Sequence, residues 1–320
     1  MALIARRRSR LAALLSVLIL TAASVAIAPA SAVKPADIFN THEVAPGVYV
    51  HFGRHLALNV PGHDDIANIG YVIGSRCVAV VDTGGSMKIG RLLRASIKRH
   101  TQVPICYVIN THGHVDHVLG NAAFLPDKPQ FVGHAGLKNS IIRSRDFFLS
   151  QYAGDLETPI SRDQIVVPDR LVEDILELDL GERQLRLQAW PPAHTDSDLT
   201  VLDLKTGSFW TGDLLFRERL PAVDGSIPGW LAVLDRFAPA KVRLTIPGHG
   251  AITTDIDSAL EAERHYLLAL QAGVRAELAA GRSMQHAIEN VAIAEKSKWL
   301  LWPDTHPHNV THVYQQLEWE

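Results

Sequence analysis

The chain has 320 residues, enough for one large domain or two small ones with a sizeable core. Hydrophobic residues make up 47% and charged residues 20%, which excludes an intrinsically disordered chain; 22 Gly and 17 Pro exclude a collagen-like or low-complexity one. The formal net charge of −3 shows no basic excess of the kind a nucleic-acid partner demands, whereas 16 His supply candidate metal ligands and proton carriers.

The first segment reads as an address. Arg6, Arg7, Arg8 and Arg10 precede an apolar stretch over 11–20, an Ala-rich stretch follows, and Ala30-Ser31-Ala32 fits a cleavage site. Together these predict a secretory signal peptide over 1–32 and a single domain over 33–320. Ser16, Thr21 and Ser24 interrupt the apolar stretch and make it a poor membrane span. Arg7-Arg8 hints at twin-arginine export, but Arg10 stands where that signal usually has an apolar residue. Cleavage after Ala32 removes four arginines and no acid, taking the net charge from −3 to −7. An exported, periplasmic protein is expected, acting on a small molecule, with no nucleic-acid partner and no stable membrane insertion.

In chain order, 47–53 and 66–74 read as short strands around a turn-rich loop at 61–65. Residues 76–81 run apolar like a strand buried on both faces and end at Asp82-Thr83-Gly84-Gly85. Ile89, Leu92, Leu93 and Ile97 then recur at helical spacing. A second buried strand over 105–109 ends at Asn110-Thr111, and 137–152 reads as a helix. Residues 185–190, 198–204, 208–211 and 242–246 read as strands, 229–237 as a short helix. From 257 the chain is mostly helical with a turn at 281–283, which divides a core over 40–255 from a tail over 256–320. This alternation predicts a layered α/β architecture with polar clusters just past strand ends, where ligand sites of such sheets lie. Cys77 and Cys106 stand at strand starts and read as buried thiols packed like small hydrophobes rather than as a bridge; 29 apart, they make no zinc pattern.

The chemistry concentrates at His112-Gly113-His114-Val115-Asp116-His117, directly after a buried strand. In so tight a loop His112 and His114 can point one way while Asp116 and His117 point another. Imidazole and carboxylate donors suit zinc, and also iron or manganese. His194, Asp213 and His249 each follow a predicted strand at a Gly- or Pro-rich turn.

The series His112-x-His114-x-Asp116-His117, His194, Asp213 and His249, with the Asp82-Thr83-Gly84-Gly85 turn before it, resembles the metallo-β-lactamase-fold hydrolase superfamily over about residues 40–255. The resemblance implies a four-layered αββα sandwich with the metal site at one rim. It implies that His112, His114 and His194 hold one Zn2+, that Asp116, His117 and His249 hold a second, and that Asp213 bridges them. It further implies that Asp82 orients a ligand histidine. No Cys lies near Asp213, which disfavours lactamases with a Cys ligand, and His114 stands where the di-iron flavoproteins of this fold have Glu. A mononuclear Fe2+ persulfide dioxygenase is the alternative enzyme, and a metal-binding accessory protein without activity the alternative role. Residues 66–70, 221–226, Gly229-Trp230-Leu231 and the ending Glu318-Trp319-Glu320 look like the exported quinoprotein relay system zinc metallohydrolases, which implies a periplasmic quinoprotein dehydrogenase partner.

The expected chemistry is attack on an ester, thioester or amide carbonyl by a hydroxide held between two zinc ions, with Asp116 orienting it and carrying its proton. No Gly-x-Ser-x-Gly elbow offers a serine nucleophile. Loops 51–66 and 214–230 are expected to shape the pocket, with His63 and Asp64 as substrate contacts. His306, His308 and His312 read as part of a capped terminal helix, and Trp299, Trp302 and Trp319 as its anchors.

Overall fold

Val78, Ala79, Val80 and Val81 have no polar face, and the fold uses both sides of that strand. Val78 and Val80 pack outward under a helix with Leu93 and Ile97, while Ala79 and Val81 pack inward against a second sheet with Leu187 and Val201. The computed structural model describes residues 39–157, 160–237 and 241–319. The signal peptide expected over 1–32 lies outside them.

The first sheet carries β1 (His42–Ala45), β2 (Val48–His51), β3 (Ile69–Ile73), β4 (Val78–Val81), β5 (Ile105–Ile109), β6 (Gln130–His134) and β7 (Arg170–Val172), in that order. It is antiparallel up to β4 and parallel from β4 to β7. Between its strands run α1 (Met87–His100), the short α2 (Val115–Val118) and α3 (Leu137–Gln151). The second sheet contains β8 (Ile175–Asp179), β9 (Gln184–Ala189), β10 (Leu199–Asp203), β11 (Ser208–Phe216) and β12 (Leu244–His249), ordered β12-β11-β10-β9-β8. Its outer face is covered by α4 (Ile227–Leu234), α5 (Ile256–Ala279), α6 (Met284–Asn290) and α7 (Trp302–Leu317). This is the expected αββα sandwich. The tail shares one core with the second sheet, since Phe209 and Leu215 of β11 cluster with Tyr266, Leu267 and Val310.

Local signals account for α1. Ser86 caps it by accepting from Ile89 N at 3.1 Å, and Lys98, Arg99 and His100 complement the dipole in its last turn. The apolar stripe at Ile89, Leu93 and Ile97 is buried, as its spacing requires.

Three expectations need correction. Cys77 and Cys106 form a disulfide, with Cα atoms 5.5 Å apart, and both are half-buried rather than core thiols. Parallel pairing of β4 with β5, Val78 opposite Ile105, brings them together. Trp299 and Trp302 anchor the tail, but Trp319 is 87% exposed and anchors nothing. Strand β11 runs to Phe216 rather than stopping at Thr211, because bulges at Gly212 carry it through the site against β12.

Candidate metal centre

The site lies past the ends of β4, β5 and β9, at the bulge within β11 and at the last residue of β12. Beyond β5, a reciprocal amide pair fixes the loop: Asn121 donates to Asn110 Oδ1 at 2.8 Å and Asn110 donates back at 3.0 Å. Thr83 N donates to the His117 carbonyl at 2.9 Å. His114 is the N-cap of α2, so Val115–Val118 turns Asp116 and His117 inward as buried residues. On the opposite sheet the bulge at Gly212, with φ of +53°, aims Asp213 at the same point. Gly248 has no room for a side chain, since a Cβ there would lie 1.9 Å from Asp213 Oδ1.

Two groups of donor atoms result. His112, His114, His194 and Asp213 form one, and Asp116, His117 and His249 the other, with the atoms of each within 4.8 Å of one another. His114 Nδ1 lies 3.1 Å from His194 Nε2. Asp213 touches both groups: its Oδ2 is 3.7 Å from His112 Nε2 and 3.6 Å from His194 Nε2, and its carboxylate is 3.2 Å from the Nε2 atoms of His117 and His249. Asp116 Oδ2 lies 3.3 Å from His249 Nε2 and 3.5 Å from His117 Nε2.

Each histidine is held from outside. His117 Nδ1 donates to Asp82 at 2.8 Å, His194 Nδ1 to the Ala222 carbonyl at 2.9 Å, and His249 Nδ1 to the Ile66 carbonyl at 2.8 Å. His112 Nδ1 meets Thr111 Oγ1 at 3.1 Å, and His114 Nε2 lies 3.2 Å from Asp224 Oδ2. Three inner atoms are left over: among the described residues, His112 Nε2, His117 Nε2 and Asp213 Oδ1 are buried with no hydrogen-bond partner. Outer nitrogens fixed while the buried inner nitrogens of His112 and His117 stay unpaired is an arrangement that suits a metal, because a satisfied outer N–H sets the tautomer that frees the inner lone pair. Five imidazoles and two carboxylates fit zinc, iron or manganese.

Electrostatics agree. Burial, then the neighbouring His117, holds His112 well below its usual range, and burial beside His114 pushes His194 down to about 4. Burial also acts to lower His117, but the Asp213, Asp116 and Asp82 carboxylates outweigh it and hold that ring well above its usual range. Asp213 stays far below the usual carboxylate range despite burial, because His249, His117 and His112 surround it. The carboxylates thus make this pocket favourable to positive charge, which a bound cation would supply.

A cavity of about 160 Å³ opens onto these residues and is walled by Leu58, Phe148, Tyr152 and Arg219. It shares His114, Phe147, Phe148 and Asp224 with an adjoining groove of about 550 Å³. His63 and Asp64 do not line either: His63 Nε2 pairs with Asp155 at 2.9 Å, and Asp64 Oδ2 accepts from Ser86 Oγ at 2.8 Å. Their loop reaches the cavity through Leu58 instead. The residues that spacing alone did not mark as site residues are Arg219 and Asp224. Arg219 is 7% exposed, its Nη1 has no hydrogen-bond partner among the described residues, and it lines the cavity together with Asp116 and Asp213.

A family model for the metallo-beta-lactamase superfamily matches residues 63–249. The chain belongs to that superfamily. Membership groups it with metal-dependent hydrolases, and the matched span contains all seven ligand candidates. Among solved structures, a double mutant of the sec-alkyl sulfatase PisA1, an enzyme from Pseudomonas sp., aligns with a TM-score of 0.63 at 16% identity over 88% of this chain. The chain spans 50% of the sulfatase's length. A metallo-beta-lactamase from Pontibacter korlensis aligns with a TM-score of 0.57 at 17% identity, covering 72% of this chain and 98% of that one. A structure described as TMB-1 gives 0.56 at 16% identity over 71% of this chain and 96% of its own. At these identities the likeness is one of fold. No curated protein sequence matches the chain.

Proposed function

We propose that the protein is an exported dinuclear zinc hydrolase that cleaves an ester, thioester or amide carbonyl. The observation that carries this reading is the set of seven converging donors, with outer histidine nitrogens tied down and buried inner atoms unpaired. His112, His114 and His194 would hold one ion, Asp116, His117 and His249 the other, and Asp213 touches both groups. When bound, such ions supply Lewis acidity toward a carbonyl oxygen and a water acidified toward neutral pH.

The chain's own residues do the rest. Asp116, buried at the cavity floor, accepts a hydrogen bond from the attacking water and can carry its proton toward the leaving group. Leu58, Phe148 and Tyr152 take an apolar part of the substrate and exclude bulk water. Arg219 offers a desolvated guanidinium to an anionic substituent. The disulfide supports the export reading, since such bridges persist in oxidising compartments. The quinoprotein relay assignment rests on the sequence stretches that carry that resemblance; of their residues, Asn68, Asp224 and Trp230 lie against the ligand candidates. Asn68 donates to the Pro247 and Gly250 carbonyls around His249, Asp224 touches His114, and Trp230 packs 5.1 Å from His194. A periplasmic quinoprotein dehydrogenase is the partner proposed on that basis.

His114→Ala is the test. Metal content and hydrolysis of ester, thioester or lactam probes should fall together; full activity in that variant would sink the dinuclear mechanism.

A further inference from the structure

The loop over 217–226 supplies Ala222 and Asp224, the outer partners of His194 and His114. That loop is gripped by the far end of the chain. Leu220 N donates to the Leu300 carbonyl at 3.1 Å, and Leu300 N donates to the Glu218 carbonyl at 2.7 Å. Asn309 of α7, fully buried, accepts from Val223 N at 3.0 Å and donates to the Pro221 carbonyl at 2.7 Å. It therefore brackets Ala222, whose carbonyl orients His194, from both sides. Two turns of helical spacing place His308 and Gln316 on one stripe of α7. His308 Nε2 lies 2.8 Å from Asp224 Oδ1, while Gln316 donates to the Gly225 carbonyl at 3.0 Å. The rings of the second group are oriented from elsewhere, Asp82 after β4 holding His117 and the Ile66 carbonyl holding His249; the loop meets that group only at the His249 main chain, whose carbonyl accepts from Arg217 N at 3.0 Å.

We propose that α7 is a positioning element of the first metal group alone, setting His194 through Asn309 and Ala222, and His114 through His308 and Asp224. The inference rests on the reading that the seven residues hold two ions. It assigns the terminal helix a part in metal loading that its distance in sequence from the ligands conceals. Asn309 and His308 touch neither substrate nor metal; they act through the ligands.

Zinc affinity, measured by competition with a chromophoric chelator, tests it in two backgrounds. His249→Ala leaves the first group intact and His112→Ala leaves the second. Asn309→Ala, which frees the loop that carries the outer partner of His194 without removing that partner, should weaken zinc binding by about 3- to 10-fold in the His249→Ala background, below the range for removing an outer partner itself, and leave it unchanged in the other. His308→Ala should weaken it by about twofold to fivefold in the first background only, since that pair is half-exposed, and His308→Gln, which keeps a donor toward Asp224, should restore it. His308 is exposed, so its variants decide the matter even if Asn309→Ala does not fold. Equal losses in both backgrounds, or no loss in the first, overturn the inference. If the parent chain binds two ions while these variants behave as it does, only this inference fails. If the parent chain binds none, the two-ion reading fails and this falls with it.

Discussion

Asp82→Asn perturbs the centre without touching a ligand. Asp82 has φ of +53°, a conformation Asn also tolerates, so the backbone survives the change. Its carboxylate, 1% exposed, accepts from Thr111 N at 2.8 Å, from Thr111 Oγ1 at 2.7 Å and from His117 Nδ1 at 2.8 Å. An amide cannot serve all three. With its NH2 at the Oδ1 position it opposes the Thr111 N–H. With its NH2 at the Oδ2 position it forces His117 to accept at Nδ1, which moves the ring proton to Nε2 and blocks the inner lone pair. A buried hydrogen bond to a charged group is worth about 1.5–3 kcal/mol, so urea unfolding of the metal-free variant should show a loss of that size. Zinc affinity of the second group should fall about 10- to 100-fold, or about 1.4–2.7 kcal/mol. Chelator competition reads it directly. Wild-type affinity in Asp82→Asn would refute the claim that a carboxylate behind His117 sets its tautomer.

Three further outcomes are expected. Replacing Cys77 and Cys106 together by Ala opens a loop of 29 residues and should cost about 3–4 kcal/mol on the chain-entropy account, read by urea unfolding; unchanged stability would argue against the bridge. Burial of His306 against Trp302 holds its ring down at about 4, so it folds neutral and ionises once unfolded. That contribution is complete above about pH 6.5 and is lost as pH falls toward 4, on the order of 2 kcal/mol, so His306→Gln should flatten the acid limb of the stability curve relative to wild type. Arg219→Gln should raise KM about tenfold or more for an anionic substrate and leave a neutral analogue unaffected; equal effects on both would remove Arg219 from substrate recognition.

The legible parts of this protein were those written in local periods. The strand at 78–81 declared itself by a run with no polar face, and α1 by apolar residues at helical spacing. The His112–His117 cluster was legible because several donor types rarely crowd a turn after a buried strand. Other features needed tertiary register. The disulfide follows from β4 and β5 being parallel neighbours, which neither strand announces. Strand β8 carries no such signal, because it lies at a sheet edge with only Leu178 buried. Asp224 and His308 are 84 residues apart, and Arg219 sits in a loop with no periodicity; only the folded chain brings them to the ligands. Residue type alone points to His63 and Asp64, yet Asp155 and Ser86 already occupy their polar atoms.

Metal content of a chain spanning residues 33–320, the product of the proposed cleavage, tests the central claim most directly. Elemental mass spectrometry of protein purified without added metal should find close to two zinc per chain. One iron per chain would contradict the dinuclear zinc account and direct attention to oxygen consumption with persulfide substrates; no bound metal would contradict it outright.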